Sequence, residues 1–156
     1  CGRLEKVENE QNKNIIVDYA HTPVALEKLL FMVKKLTKGR IILVFGCGGD
    51  RDKSKRSLMG MIAGVLSNYV IITSDNPRTE NPEDIIRDIE DGMEQISATY
   101  EKITDRREAI KRGIEIMNED DLLIIAGKGH EDYQILGKEK IYFDDKEVVK
   151  ELLQAM

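Results

Sequence analysis

Short runs rich in isoleucine and valine recur at 15–17 (IIV), 41–45 (IILVF), 69–73 (YVIIT) and 122–126 (LLIIA), with a weaker candidate at 99–103 (TYEKI). Apolar runs this short, without polar alternation, fit strands buried on both faces. The stretches between them carry helical spacing. Residues 23–37 open with Thr22 as a cap and Pro23 at the first helical position, and Leu26, Leu29, Leu30, Val33 and Leu36 share one face. Further helices are expected at about 55–67, at 82–97 with Ile85, Ile86, Ile89, Met93 and Ile96 inward, at 105–118 capped by Asp105, and at 145–155. Strands alternating with helices of this length imply parallel pairing through right-handed crossovers. The segment YQILGKEKIYF at 133–143 reads as a hairpin turning at Gly137, which should give the sheet an antiparallel edge. The expected fold is a Rossmann-like, three-layer α/β domain: a mainly parallel sheet of about six strands, an antiparallel edge, and helices on both faces.

A chain of 156 residues without repeats or a Pro/Ser-rich linker fits one domain. The first fourteen residues begin abruptly on a polar turn, as if a strand had been cut from something upstream, so an N-terminal portion is expected to be missing. No apolar run approaches the roughly 18 residues of a membrane span. The net charge of -5 argues against a duplex-binding surface, because phosphate neutralisation calls for clustered cations. RDKSKR at 51–56 is too short to reverse that. Cys1 and Cys47 stand apart with no C-x-x-C, and no signal segment precedes them, which points to a reducing cytoplasm.

In open parallel sheets, ligands sit beyond the carboxyl ends of the strands. The polar outliers gather there. Successive strands exit into DYAHTP (18–23), GCGGDRDKSKR (46–56), SDNPR (74–78) and GKGHEDYQ (127–134), which together hold both histidines, Arg51, Arg78 and Glu131. Each piece also has a plain reading. His21 and His130 fit hydrogen-bonded loop histidines, and the glycines at 46, 48 and 49 fit a turn with positive φ as well as close approach to a ligand. Neither the dinucleotide fingerprint nor a Walker A loop is present: Arg51 and Lys53 stand where those patterns need glycine. No local metal-ligand set exists, and DRD at 50–52 and DD at 144–145 read as solvated or capping carboxylates. A Ser-His-Asp hydrolase lacks its G-x-S-x-G elbow.

VDYAHTPVALEKLL, VFGCGGDRDKSKRSLMG, TSDNPRTENPEDII and AGKGHEDYQ, in that order and spacing, resemble the C-terminal domain of the Mur ligases, and within them the branch that adds meso-diaminopimelate. The similarity runs from Gly2 to the last helix. Val24 departs from the family's usual aspartate and Ser57 from its usual proline. The resemblance implies an ATP-dependent, amide-forming ligase of peptidoglycan precursor synthesis, with ATP and Mg2+ as cofactors of the full enzyme. The P-loop, the magnesium ligands and the UDP-binding domain lie elsewhere, so this chain is expected to hold no catalytic residue and to be inactive alone. Implied partners are meso-diaminopimelate, ATP and, through the missing domains, UDP-N-acetylmuramoyl dipeptide. Neither nucleic acid nor membrane is implied, and a monomer is expected.

Residue by residue, the resemblance assigns the amino acid to Arg51, Asp75, Asn76, Arg78, Gly127 and Glu131, with Arg78 and Asn76 on the distal carboxylate and Glu131 suited to an ammonium. A planar guanidinium suits a carboxylate because it donates two parallel hydrogen bonds. Pro77 and Pro82 would limit the freedom of that loop. Arg3, Asp18 and His21 are assigned to the nucleotide and are expected to be idle in an isolated domain. Lysine-adding relatives lack the motif's arginine; a lysine-specific ligase domain and a non-catalytic amino-acid or nucleotide-binding module are the alternative readings.

Overall fold

The computed structural model describes residues 3–156, so Cys1 and the Gly2 that begins the family resemblance lie outside it. Its strands are β1 (Glu5–Lys6), β2 (Asn14–Asp18), β3 (Ile41–Phe45), β4 (Tyr69–Ile72), β5 (Tyr100–Lys102), β6 (Leu122–Ala126), β7 (Tyr133–Leu136) and β8 (Glu139–Tyr142). The helices are α1 (Pro23–Lys34), α2 (Ser54–Leu66), α3 (Pro82–Glu94), α4 (Arg106–Ile116) and α5 (Asp145–Ala155). The main sheet runs in the order β1-β2-β6-β3-β4-β5, and every pair but β1–β2 is parallel. None of the helices is long and apolar enough to cross a membrane among the described residues.

Alternate side chains of each central strand enter opposite cores, as the pleat requires. Leu43, Phe45, Val70, Ile72 and Ile124 pack with α1, α2 and α3, whereas Ile42, Val44, Ile71, Leu123 and Ile125 pack with α4 and α5. The expected caps are in place. Thr22 accepts from the amide of Ala25 at 3.2 Å, and Asp105 from that of Glu108 at 3.0 Å. The chain moves outward from β3 to β5 with its helices on one face, then returns through α4 on the other to insert β6 between β2 and β3. Reversing direction under right-handed crossovers demands that change of face. It opens a crevice at the carboxyl ends of β2, β6 and β3.

Three expectations need correction. The 133–143 hairpin forms with its turn at Gly137 (φ +65°), but as a separate two-stranded sheet; the antiparallel edge is supplied by β1. Strand β8 is exposed along its whole length and brings no apolar face to bury against the sheet. Leu36 is 76% exposed, because α1 ends at Lys34 and the Thr37 hydroxyl donates to the carbonyl of Val33 at 2.8 Å, turning the chain away. Asp144 does cap α5, but Asp145 is fully buried against Arg106.

Candidate functional site

A cleft of about 530 Å³ lies at the crevice and draws residues from four strand exits. Arg51, Asp75, Asn76, Arg78, Gly127 and Glu131 all line it, together with His21. Sequence positions as far apart as 21 and 131 therefore share one wall.

The glycines of the 46–49 loop are explained by close approach, since none of the three has a positive φ. A Cβ at Gly49 would lie 1.8 Å from the carbonyl oxygen of Pro77, and one at Gly46 would lie 2.1 Å from that of Thr73. The two loops touch backbone to backbone, with the Gly49 amide donating to the Asn76 carbonyl at 2.7 Å.

Residues 75–78 are laced to the hairpin. Gln134 donates to the carbonyl of Asp75 at 2.8 Å, and the Ile135 amide donates to the Asn76 side-chain oxygen at 3.0 Å. The Arg78 amide donates to Ile135 at 3.1 Å, and its carbonyl accepts from Gly137 at 2.7 Å. With its oxygen committed, Asn76 keeps its Nδ2 hydrogens for the cleft. Arg78 holds φ at +53°, a costly conformation for a side chain with a Cβ. Its Nη1 donates to the Gly49 carbonyl at 2.9 Å, and no carboxylate pairs with it among the described residues.

Asp75 faces the same space. It is buried, its Oδ1 has no hydrogen-bond partner, and burial raises its pKa although Arg106 and Lys128 pull the other way. A buried carboxylate left unbonded is costly unless a cation or donor completes it. Gly127, at φ +116°, keeps the opposite wall open, since a Cβ there would lie 3.2 Å from Asp75 Oδ2. Arg51 is exposed at the rim, where its Nη1 donates to the Asp50 carbonyl at 3.1 Å. Cys47 also lines the cleft, but burial and then Asp75 push its thiol up to about 12, so it is no nucleophile near neutral pH.

Sequence reasoning missed three cations. Lys128 is wholly buried, donates to the carbonyl of Tyr133, lies 3.5 Å from Glu131, and sits 5.2 Å from the centre of the Tyr133 ring. A lysine set between glycines directly after a buried strand was the available signal. Arg56 lies inside the basic stretch RDKSKR, yet its side chain is 2% exposed and pairs with Glu80 at 2.8 Å and Asp88 at 3.0 Å. Arg106 carried no signal beyond its place in the first turn of a helix.

The three residues assigned to the nucleotide are divided between two hollows. Arg3 and Asp18 share a groove of about 430 Å³ with Leu4, Val24, Lys28 and Met32, whereas His21 opens into the main cleft; Thr22 borders both. Asp18 is not idle, since it accepts from the amides of Leu4 at 2.7 Å and Ala20 at 2.8 Å. His21 is exposed and packs on Tyr19, with ring centres 4.5 Å apart, while His130 lies 6.1 Å from the same tyrosine.

Residues 2–129 match the family model described as Mur ligase, glutamate ligase domain. The UDP-N-acetylmuramoyl-L-alanyl-D-glutamate--2,6-diaminopimelate ligase 2 of Clostridium acetobutylicum is 73% identical over 152 residues, which cover 97% of this chain and 32% of that protein. The ligase of the same name (without the number) from Clostridioides difficile is 54% identical over 155 residues, covering 99% and 32%. Among solved structures, a UDP-N-acetylmuramoyl-L-alanyl-D-glutamate--2,6-diaminopimelate ligase superposes with a TM-score of 0.92 at 43% identity, over 99% of this chain and 32% of that one. The chain thus spans about a third of the length of the curated relatives it matches.

Proposed function

This chain belongs to the Mur ligase family through its glutamate ligase domain, and from that premise we propose that it is the C-terminal domain of an ATP-dependent ligase adding meso-diaminopimelate to UDP-N-acetylmuramoyl-L-alanyl-D-glutamate. The observation that carries the reading is the unpaired Arg78 guanidinium sharing one cleft with the unbonded, buried carboxylate of Asp75. The far end of diaminopimelate bears a carboxylate and an ammonium on one carbon, and these two groups answer them. Arg78 and the Asn76 amide take the carboxylate; Asp75 and Glu131 take the ammonium. Gly127 gives room, and Arg51 stands at the rim for the remaining carboxylate. A lysine-adding site would leave Arg78 without a partner in a half-buried position, which disfavours that alternative.

The reaction class is acyl activation. A carboxylate of the nucleotide-linked dipeptide is phosphorylated by ATP, and the amine of the incoming amino acid displaces phosphate to form the amide. The residues here hold the far end of that amino acid and so orient its other amine for attack. Arg3 and Asp18, in the smaller groove, fit one wall of the nucleotide site, a cation and a carboxylate that still has lone pairs beyond its two amide donors, and His21, across Thr22 in the main cleft, adds an aromatic surface beside it. Among the described residues no group of three or more His, Cys, Asp or Glu side chains could hold a metal, so magnesium belongs in this reading to the rest of the enzyme. A cytoplasmic monomer completes the proposal.

The test is the ratio of kcat/KM for diaminopimelate to that for L-lysine in the full-length enzyme, wild type against Arg78→Ala. Losing one partner of a desolvated charge pair costs about 2–5 kcal/mol, or roughly 30- to several-thousand-fold, in the first substrate alone. An unchanged ratio refutes the reading.

A further inference from the structure

Asp50 and Arg78 are non-glycine residues held at nearly the same left-handed φ, +55° and +53°, on two loops that face each other. Such conformations persist where neighbours over-determine them. The neighbours here form a chain of contacts. The Thr79 hydroxyl donates to Asp50 Oδ1 at 2.6 Å and its amide to Oδ2 at 3.3 Å. The Asp50 amide donates to Glu80 Oε1 at 2.7 Å. Arg56 then closes the loop on itself: it grips both oxygens of Glu80 at 2.8 and 3.0 Å, and its Nη2 also donates to the Gly48 carbonyl at 2.9 Å.

Resting on the reading above, we propose that Arg56, acting through Glu80, Asp50 and Thr79, is a positioning device that fixes the Arg78 guanidinium and thereby sets the selectivity of the cleft for an amino acid with a distal carboxylate. Three observations support it. First, Arg56 borders the cleft with both terminal nitrogens committed, Nη1 to Glu80 and Asp88 and Nη2 to Glu80 and Gly48, which leaves only its buried Nε without a partner. Secondly, the clamp grips the segments on both sides of the guanidinium: Gly48 and Asp50 flank Gly49, whose carbonyl receives Arg78 Nη1, and Thr79 and Glu80 follow Arg78 directly. Thirdly, the Arg56 contact holds Glu80 at about 2, well below the ordinary carboxylate range, so the clamp stays charged at neutral pH and well into the acid range.

A clamp that served only to stabilise the fold would lower the amount of active enzyme for every amino acid alike. One that positions Arg78 must act on the distal carboxylate alone. The experiment uses the full-length enzyme with Thr79→Val, Thr79→Ser and Glu80→Gln, assayed with ATP, magnesium, the nucleotide-linked dipeptide, and either diaminopimelate or L-lysine. Thr79 is exposed, so its valine variant tests the idea even if Glu80→Gln fails to fold. Loss of one net hydrogen bond predicts a rise in KM for diaminopimelate of roughly three- to tenfold, with kcat and the KM for ATP within about twofold of wild type. The diaminopimelate-to-lysine ratio should fall by the same factor, and Thr79→Ser should restore it. Wild-type selectivity in Thr79→Val, or equal losses for both amino acids, overturns the proposal. A wild-type enzyme without preference for diaminopimelate overturns instead the functional reading beneath it.

Discussion

Arg106 and Asp145 meet at complete burial through two hydrogen bonds of 2.8 Å, Nε to Oδ1 and Nη2 to Oδ2. The same guanidinium donates to the carbonyls of Ser74 at 2.9 Å and Ala126 at 3.2 Å, where the chain leaves β4 and ends β6. One residue at the start of α4 therefore pins two strand exits and the start of α5, forming the floor on which Asp75 rests. Arg106→Met should lower the unfolding free energy by about 3–5 kcal/mol, because it strands a buried carboxylate. Arg106→Met with Asp145→Leu should recover a large part of that. Urea unfolding of the two variants decides, and a single variant within about 0.5 kcal/mol of wild type would contradict the assignment.

Two neighbouring glycines should fail in different ways. At Gly49 an added methyl meets backbone, 1.8 Å from the Pro77 oxygen, so Gly49→Ala must spread the two loops and cost about 1–3 kcal/mol or more. At Gly48 it meets the tip of the Arg78 side chain, 2.9 Å from Nη1, which can swing aside. Gly48→Ala should keep its thermal midpoint and weaken the use of diaminopimelate. Equal stabilities for the two variants would count against this division.

Asp75 is predicted to cost the fold stability at neutral pH. Burial raises its folded pKa above the ordinary value of 3.8, so the folded state resists an ionisation that the unfolded chain accepts. Stability is lost as pH rises from the unfolded value through the folded one. Asp75→Asn removes the penalty, so the variant should be more stable than wild type at pH 7 and closely matched near pH 3, where both carry a neutral group. Its use of diaminopimelate should fall at the same time. Unfolding curves at the two pH values check it; a less stable variant at pH 7 would show that the pull of Arg106 and Lys128 outweighs burial.

Chain 1–156 by itself should release no ADP from ATP in the presence of magnesium, nucleotide-linked dipeptide and diaminopimelate. On the proposed reading Arg3 and Asp18 would form one wall only of a nucleotide site, so calorimetry should find ATP binding weaker than micromolar. In the full-length enzyme Asp18→Ala should raise the KM for ATP, with some loss of stability, since its carboxylate also holds the amides of Leu4 and Ala20.

What could be read from the chain alone was whatever its local pattern encodes. Runs such as IILVF and LLIIA are apolar at every position because both faces of the strand are covered, and that demand is written within five consecutive residues. Thr22 and Asp105 cap helices by bonding amides three residues away, so the signal and its partner travel together. The gathering of polar groups at strand exits was equally legible, because a parallel sheet places all its carboxyl ends on one edge. Tertiary structure alone decided the pairings between segments distant in sequence. Arg106 finds Asp145 across 39 positions, and Gln134 finds the Asp75 carbonyl across 59. Nothing near Arg56 or Asp145 marks them as buried: a charged side chain enters the core when a partner from elsewhere meets it, and that partner's identity is a property of the fold. The hairpin strand β7 shows the same limit, for its turn lies in its own residues, but its attachment to 75–78 instead of the main sheet depended on what the folded chain brought beside it.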